Sequence, residues 1–74
     1  MMNNKYQLKI VVASDVDYEC LIAEIYCNGE FFALLQQEEG LENIKVEFSP
    51  NARIVDLDWL QYALSKAKEH LLNN

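Results

Sequence analysis

Apolar and polar positions alternate along most of this chain and then change period near residue 56. Residues 5–12 set Tyr6, Leu8, Ile10 and Val12 against Lys5, Gln7, Lys9 and Val11. That is the two-residue period of a half-buried strand with its basic residues outward. Ser14, Asp15 and Asp17 then supply turn chemistry. Residues 18–27 are rich in β-branched and aromatic side chains and run into Asn28-Gly29, the pair best suited to the two positive φ angles of a type I′ hairpin turn. Residues 30–37 must then be the returning strand. A second connection around Glu39-Gly40 leads to residues 43–48, where Ile44, Val46 and Phe48 alternate with Asn43, Lys45 and Glu47.

Ser49-Pro50-Asn51 ends the fourth strand, because proline cannot donate a ladder hydrogen bond and turns its predecessor away from helix. Beyond it Leu57, Leu60, Leu64, Ala67 and Leu71 follow the spacing of one helical face. Asp56 is placed to cap that helix, Asp58 falls in its first turn, and Lys66 and Lys68 lie toward the end that favours cations. The expected fold class is α+β: a four-stranded antiparallel meander followed by one C-terminal α-helix packed on one face (ββββα). It forms a single domain over residues 1–74, with Asn3-Asn4 and Asn73-Asn74 as frayed ends.

One helix can cover only one face of such a sheet. A two-residue turn at Asn28-Gly29 sets Cys27 opposite Glu30, and counting back pairs Tyr26 with Phe31, Ile25 with Phe32, Glu24 with Ala33, Ala23 with Leu34 and Ile22 with Leu35. Cross-strand partners share a face. Leu21, Ala23, Ile25, Phe32 and Leu34 are thereby assigned to the core beneath the helix. Cys20, Ile22, Glu24, Tyr26, Phe31, Ala33, Leu35 and Gln37, with Val11 from the first strand, are left on the other side. An apolar face of that extent suggests a contact surface, so Ile22, Glu24, Tyr26, Phe31 and Leu35 are the candidate partner or dimer interface. The alternative is that residues 49–55 or the chain ends fold over that face and make it a minor core.

Charge sharpens this picture. Nine of the twelve acidic residues lie between Asp15 and Glu47, where Lys45 is the one basic residue. That stretch therefore carries −8 against −6 for the whole chain, and the remainder is +2. Asp15, Asp17, Glu30, Glu38, Glu39 and Glu42 fall at turns and rims, an acidic border around an apolar sheet. Such a border suits a basic protein partner, whose approach it would accelerate; it also keeps a small protein soluble. Direct binding of nucleic acid is not expected, since that requires lysines and arginines set against phosphates. The chain is 51% hydrophobic, which argues for a folded domain. At 74 residues it buries only roughly 60% of the surface its unfolded form exposes, so added burial in a homodimer would help it.

Little in the chain reads as catalysis. His70 is the single histidine and sits near the helix C-terminus, where a cation is mildly favoured. Cys20 and Cys27 on one strand would stand roughly 23 Å apart on opposite faces, too far to bridge or to share a tetrahedral metal, and read as reduced thiols. Asp15, Asp17 and Glu19 offer oxygen ligands without the glycine or spacing of an EF-hand loop. No catalytic residue, metal or cofactor is expected. The N-terminus lacks the pattern of a signal peptide and no apolar run approaches a membrane span, so the expected place is the cytoplasm.

The run Ala23-Glu24-Ile25-Tyr26-Cys27-Asn28-Gly29-Glu30-Phe31-Phe32-Ala33-Leu34, with Gln37-Glu38-Glu39-Gly40 and Val55-Asp56-Leu57-Asp58-Trp59-Leu60, resembles a set of short, uncharacterised bacterial proteins over residues 16–72. That resemblance brings no activity with it. In size and acidity the chain is also similar to phage anti-CRISPR proteins and to immunity proteins of bacterial toxins. Its strand order partly resembles HicB-type antitoxins, whose helix precedes a final strand, whereas here the helix comes last. The expectation is a non-enzymatic acidic binding protein, an inhibitor that blocks a basic, nucleic-acid-handling partner. The alternative is a structural self-association module or a regulatory subunit.

Overall fold

The computed structural model describes residues 6–52 and 54–73; Asn3, Asn4, Lys5 and Asn74, invoked above, lie outside them. Four antiparallel strands form one sheet in the order β1-β2-β3-β4: β1 (Leu8–Ala13), β2 (Ile22–Cys27), β3 (Glu30–Gln36) and β4 (Lys45–Phe48). The helix α1 (Leu57–Leu72) follows. This is the ββββα meander that the periodicity predicts. The molecule is 17 Å across its thinnest direction, as befits one sheet and one helical layer.

The β2–β3 hairpin turns as expected, with Asn28 at φ 54° and Gly29 at φ 84°, both positive as a type I′ turn demands. The Asn28 backbone N–H donates to the Gln7 carbonyl at 2.9 Å, and its side-chain oxygen accepts the Gln7 N–H at 2.8 Å. The turn residue thus also ties down the start of β1.

Beyond the turn the register departs from simple counting. Cys27 faces Glu30 and Tyr26 faces Phe31, but Ile25 then pairs with Ala33, Glu24 with Leu34 and Ala23 with Leu35. The shift between Ile25 and Tyr26 is a β-bulge that takes up Phe32 as an extra residue. A one-residue slip reverses every later side chain. Leu35 and Ala33, expected on the open face, therefore lie in the core beneath the helix, and Leu34, expected in that core, lies on the opposite face. Ala23, Ile25 and Phe32 keep their predicted places.

Two further expectations fail at the start of β2. Residues 18–21 belong to a loop, so Leu21 is 39% exposed instead of buried. Cys20 is off the strand and exposed while Cys27 is partly buried, and both are free thiols.

The helix is also rotated from its predicted stripe. Its buried residues are Trp59, Ala63, Ala67 and Leu71, whereas Leu57 is 66% exposed. Ala63 and Ala67 are fully buried in the core between helix and sheet, and Trp59 meets Tyr6 and Phe32 in edge-to-face contacts at 5.5 and 5.4 Å. Leu60 and Leu64 fall to the flank. Asp56 holds the N-cap position with extended backbone, yet its side chain makes no cap bond to the first turn. The helix lies chiefly over β1 and β2, so the same face of β3 and β4 is less well covered. No helix among the described residues is long and apolar enough to cross a membrane.

Candidate protein-binding surface

A meander places its β1–β2 and β3–β4 connections at the same end of the sheet, and here they are clasped together. The Glu38 carboxylate accepts the backbone N–H of Glu19 at 2.9 Å on one oxygen and that of Cys20 at 3.1 Å on the other. The Gln37 amide donates to the Leu21 carbonyl at 2.9 Å. Within the first loop, Asp15 accepts the Asp17 N–H on its side chain at 2.8 Å and the Tyr18 N–H on its carbonyl at 3.0 Å, which turns the chain back over the sheet. Gly40, at φ 97° and ψ 162°, takes a conformation that is essentially reserved to glycine and starts the short 3-10 turn Leu41–Asn43.

This clasp carries the β1–β2 loop over the face away from the helix. The Tyr18 hydroxyl donates to the Glu47 carboxylate on β4 at 2.7 Å, and Gln36 donates to the other oxygen at 3.2 Å. A bond from that loop to β4 has to cross β2 and β3. At that end of the sheet Ile22 is 0% and Leu34 8% exposed, although neither belongs to the core under the helix. The face therefore has a second, smaller core. Residues 49–55, the segment considered above for that role, instead contribute Ala52 and Val55 to the helix side.

The predicted interface residues are thus dispersed. Ile22 and Leu35 are buried on opposite faces of the sheet. Glu24 and Tyr26 are partly buried and joined by a 3.3 Å hydrogen bond, and Phe31 packs edge-on to Tyr26 at 5.9 Å while remaining 38% exposed. Burial and the neighbouring Glu24 charge push the Tyr26 phenol upward. What remains open around Tyr26 and Phe31 also includes Lys9 and part of Val11, since both pair with β2 on that face.

The acidic rim, in contrast, falls mostly on two loops that meet. The β1–β2 loop with Asp15, Asp17 and Glu19 and the β3–β4 connection with Glu38, Glu39 and Glu42 share one end of the sheet, joined at Glu38, and Glu42 borders the helix side near Lys68. Glu30 lies at the opposite pole beside the hairpin turn. Their roles differ: Asp15 and Glu38 hold the loops in shape, while no hydrogen bond of the described residues engages the side chains of Asp17, Glu39 or Glu42. Sequence reasoning missed Tyr18 and Glu47, which join loop to sheet. A tyrosine directly after an Asp-Val-Asp turn was the available sign.

No group of three or more metal-ligating side chains converges among the described residues. At the hairpin end an open cleft of about 890 Å³ lies between the β2–β3 turn and residues 49–55, lined by Tyr6, Phe32, Ile54 and Cys27 among others. Burial and the nearby Glu30 push the Cys27 thiol upward, so it stays protonated near neutral pH and is a poor nucleophile.

The Tyr18 phenol is pushed up to about 12, chiefly by its bond to Glu47, then by burial and by the charges of Glu47, Asp15 and Asp17. A raised folded-state value means that the neutral phenol favours the closed loop. This contribution is present below the ordinary value of about 10 and is lost as pH rises from there through about 12. Ultraviolet titration is expected to show Tyr18 ionising late, alongside the raised Tyr26, and Glu47→Gln should lower the Tyr18 value while leaving Tyr26 where it was. An unchanged titration in that variant would show that the bond does not form.

Comparison with known protein families, with curated proteins and with solved structures yields no match to this chain.

Proposed function

We infer that the protein is a non-enzymatic binding protein that offers its acidic pole to a basic surface of another protein, and that it inhibits a partner which handles nucleic acid. The observation that carries this reading is the Glu38 clasp. Carboxylates of one sign repel, and two untied loops would spread them apart; tying both loops to one carboxylate keeps the segments that carry Asp17, Glu39 and Glu42 at one end of the sheet. Fixed like charges present a field to an approaching cation-rich surface without an ordering cost on binding. The sites that such a partner uses for phosphates would accept carboxylates, which is how an acidic protein can occlude them.

Replacing Asp17, Glu39 and Glu42 together by lysine reverses the field and leaves the loop-holding Asp15 and Glu38 untouched. Proteins captured from the native cell on the wild-type chain and identified by mass spectrometry supply the partner for kinetic measurement. The triple variant is expected to associate at least about tenfold more slowly at low salt, with a flatter salt dependence. An unchanged association rate would remove the electrostatic reading, and a captured partner whose nucleic-acid binding is unaffected would remove the inhibitory one.

A further inference from the structure

We propose that two copies of this chain join through the free edges of β4 to make one continuous antiparallel sheet, in a register selected by Lys45 and Glu47. This goes beyond the acidic pole and uses a different surface.

Among the described residues β4 ends the sheet and pairs only with β3. All four of its residues are exposed, Val46 at 38% and Phe48 at 53%. The Ser49 N–H donates to the Phe32 carbonyl at 2.9 Å, in line with the pairing of Phe48 to Ala33 and Glu47 to Leu34. Antiparallel ladders alternate, so Lys45 and Glu47 direct their backbone groups at β3. The N–H and C=O groups of Ile44, Val46 and Phe48 consequently point out along the open edge. That is a template for another strand.

Among the registers that overlap the middle of β4, charge favours one for a second copy. A register that keeps the apolar face on one side must set even-numbered residues against even-numbered ones. Centring the two-fold axis on Lys45 opposes two lysines, and centring it on Glu47 opposes two glutamates. Centring it on Val46 opposes Lys45 to Glu47 of the other copy, twice, and sets Ile44 against Phe48. The outward N–H and C=O groups then meet their counterparts at Val46 and at both Ile44–Phe48 pairs. Lys45 and Glu47 fall at the closer, non-hydrogen-bonded positions, where cross-strand charge pairs act most strongly.

Among the described residues neither Lys45 nor Glu47 is part of an ion pair. Tyr18 and Gln36 hold the Glu47 carboxylate by hydrogen bonds, so its position is set before any partner arrives. The opposite edge, β1, carries Lys9 as its one charged residue and has no anion within the strand to oppose it. On the helix side, β4 borders a groove of about 290 Å³ whose apolar lining includes Leu41, Ile44, Val46 and Leu64, with Glu42 and Lys68 also on it, and the second copy would extend its apolar wall. A small domain with an incomplete apolar cover gains from such burial.

Val46→Pro removes an outward N–H and leaves every bond to β3 in place, a substitution that an edge strand tolerates. Sedimentation equilibrium is expected to find the wild type dimeric and Val46→Pro monomeric with unchanged helical circular dichroism. Lys45→Glu and Glu47→Lys should each raise the dimer dissociation constant about 10- to 100-fold, and an equimolar mixture of those two variants should recover a heterodimer. Val46→Pro leaves the acidic pole intact, so its capture of a basic partner is tested separately from its oligomeric state. A monomeric wild type overturns the proposal, as does a dimer indifferent to Val46→Pro or a variant mixture that fails to pair.

Discussion

Replacing Trp59 by alanine is expected to cost about 3–5 kcal/mol, the largest loss from any single side chain here. Trp59 is 3% exposed and touches Tyr6 and Phe32 edge-on, and Phe32 in turn meets Phe48 at 5.8 Å. One indole thus links the segment before β1, the bulge in β3, the end of β4 and the helix. The remaining buried helix residues, apart from Leu71, are alanines, which allow close approach but bring little apolar area of their own. Removing the indole leaves a cavity that the small side chains of Ala63 and Ala67 cannot fill.

A domain of this size is stabilised by roughly 4–11 kcal/mol in total, so Trp59→Ala should leave a substantial unfolded fraction. Trp59→Phe should lose less. It keeps a ring in place and discards an Nε1–H that is buried without an acceptor among the described residues, a group whose desolvation costs about 1–3 kcal/mol. Urea denaturation followed by far-ultraviolet circular dichroism measures both. A loss below about 1 kcal/mol for Trp59→Ala, under the range for a packed indole, would mean that the helix is anchored elsewhere.

The second large effect is expected at Ile22. If the face away from the helix were an open interface, truncating Ile22 would weaken association and leave the stability of the single chain nearly unchanged. In the structure Ile22 is fully buried, and the loop pinned by Tyr18 to Glu47 crosses that end of the sheet. Ile22→Ala is therefore expected to cost about 2–5 kcal/mol. Phe31→Ala, at a residue 38% exposed on the same face, should cost clearly less.

Denaturation followed by Trp59 fluorescence reports on both variants, because the indole sits on the other side of the sheet. Equal stability of Ile22→Ala and wild type would mean that the second core does not exist, returning Ile22 to the surface. A loss at Phe31 as large as that at Ile22 would instead extend the second core to the hairpin end.

Much of the fold was legible because it rests on local rules. Period-two alternation, Asn28-Gly29, Ser49-Pro50 and the change of period after Asp56 each act within a few residues, and together they yield four strands, their order and the helix. The bulge could not be read in this way. Residues 31–35 are Phe-Phe-Ala-Leu-Leu, an unbroken apolar run with no alternation to reveal a change of phase. The register therefore slipped unseen, and Leu34 and Leu35 exchanged faces. The helix stripe was legible only in part for a related reason: Ala67 and Leu71 lie on it and are buried, but leucines dominate a hydrophobicity pattern, and Trp59 and Ala63 hold the buried places instead of Leu57.

For the candidate surface, the sequence by itself determined the sign and the abundance of charge, the placing of most carboxylates at turns, and the presence of a sheet too large for one helix to cover. Only the tertiary structure decided which acidic residues stand together, because Glu38 meets Glu19 and Cys20 through a meander that returns both loops to one end. It likewise decided that the open face is partly closed by Tyr18 and its loop, and that exposed apolar surface remains along β4. Charge and periodicity are properties of neighbours in sequence. Register, loop closure and the free edge of a sheet arise from hydrogen bonds between residues many positions apart, and these exist only once the chain has folded.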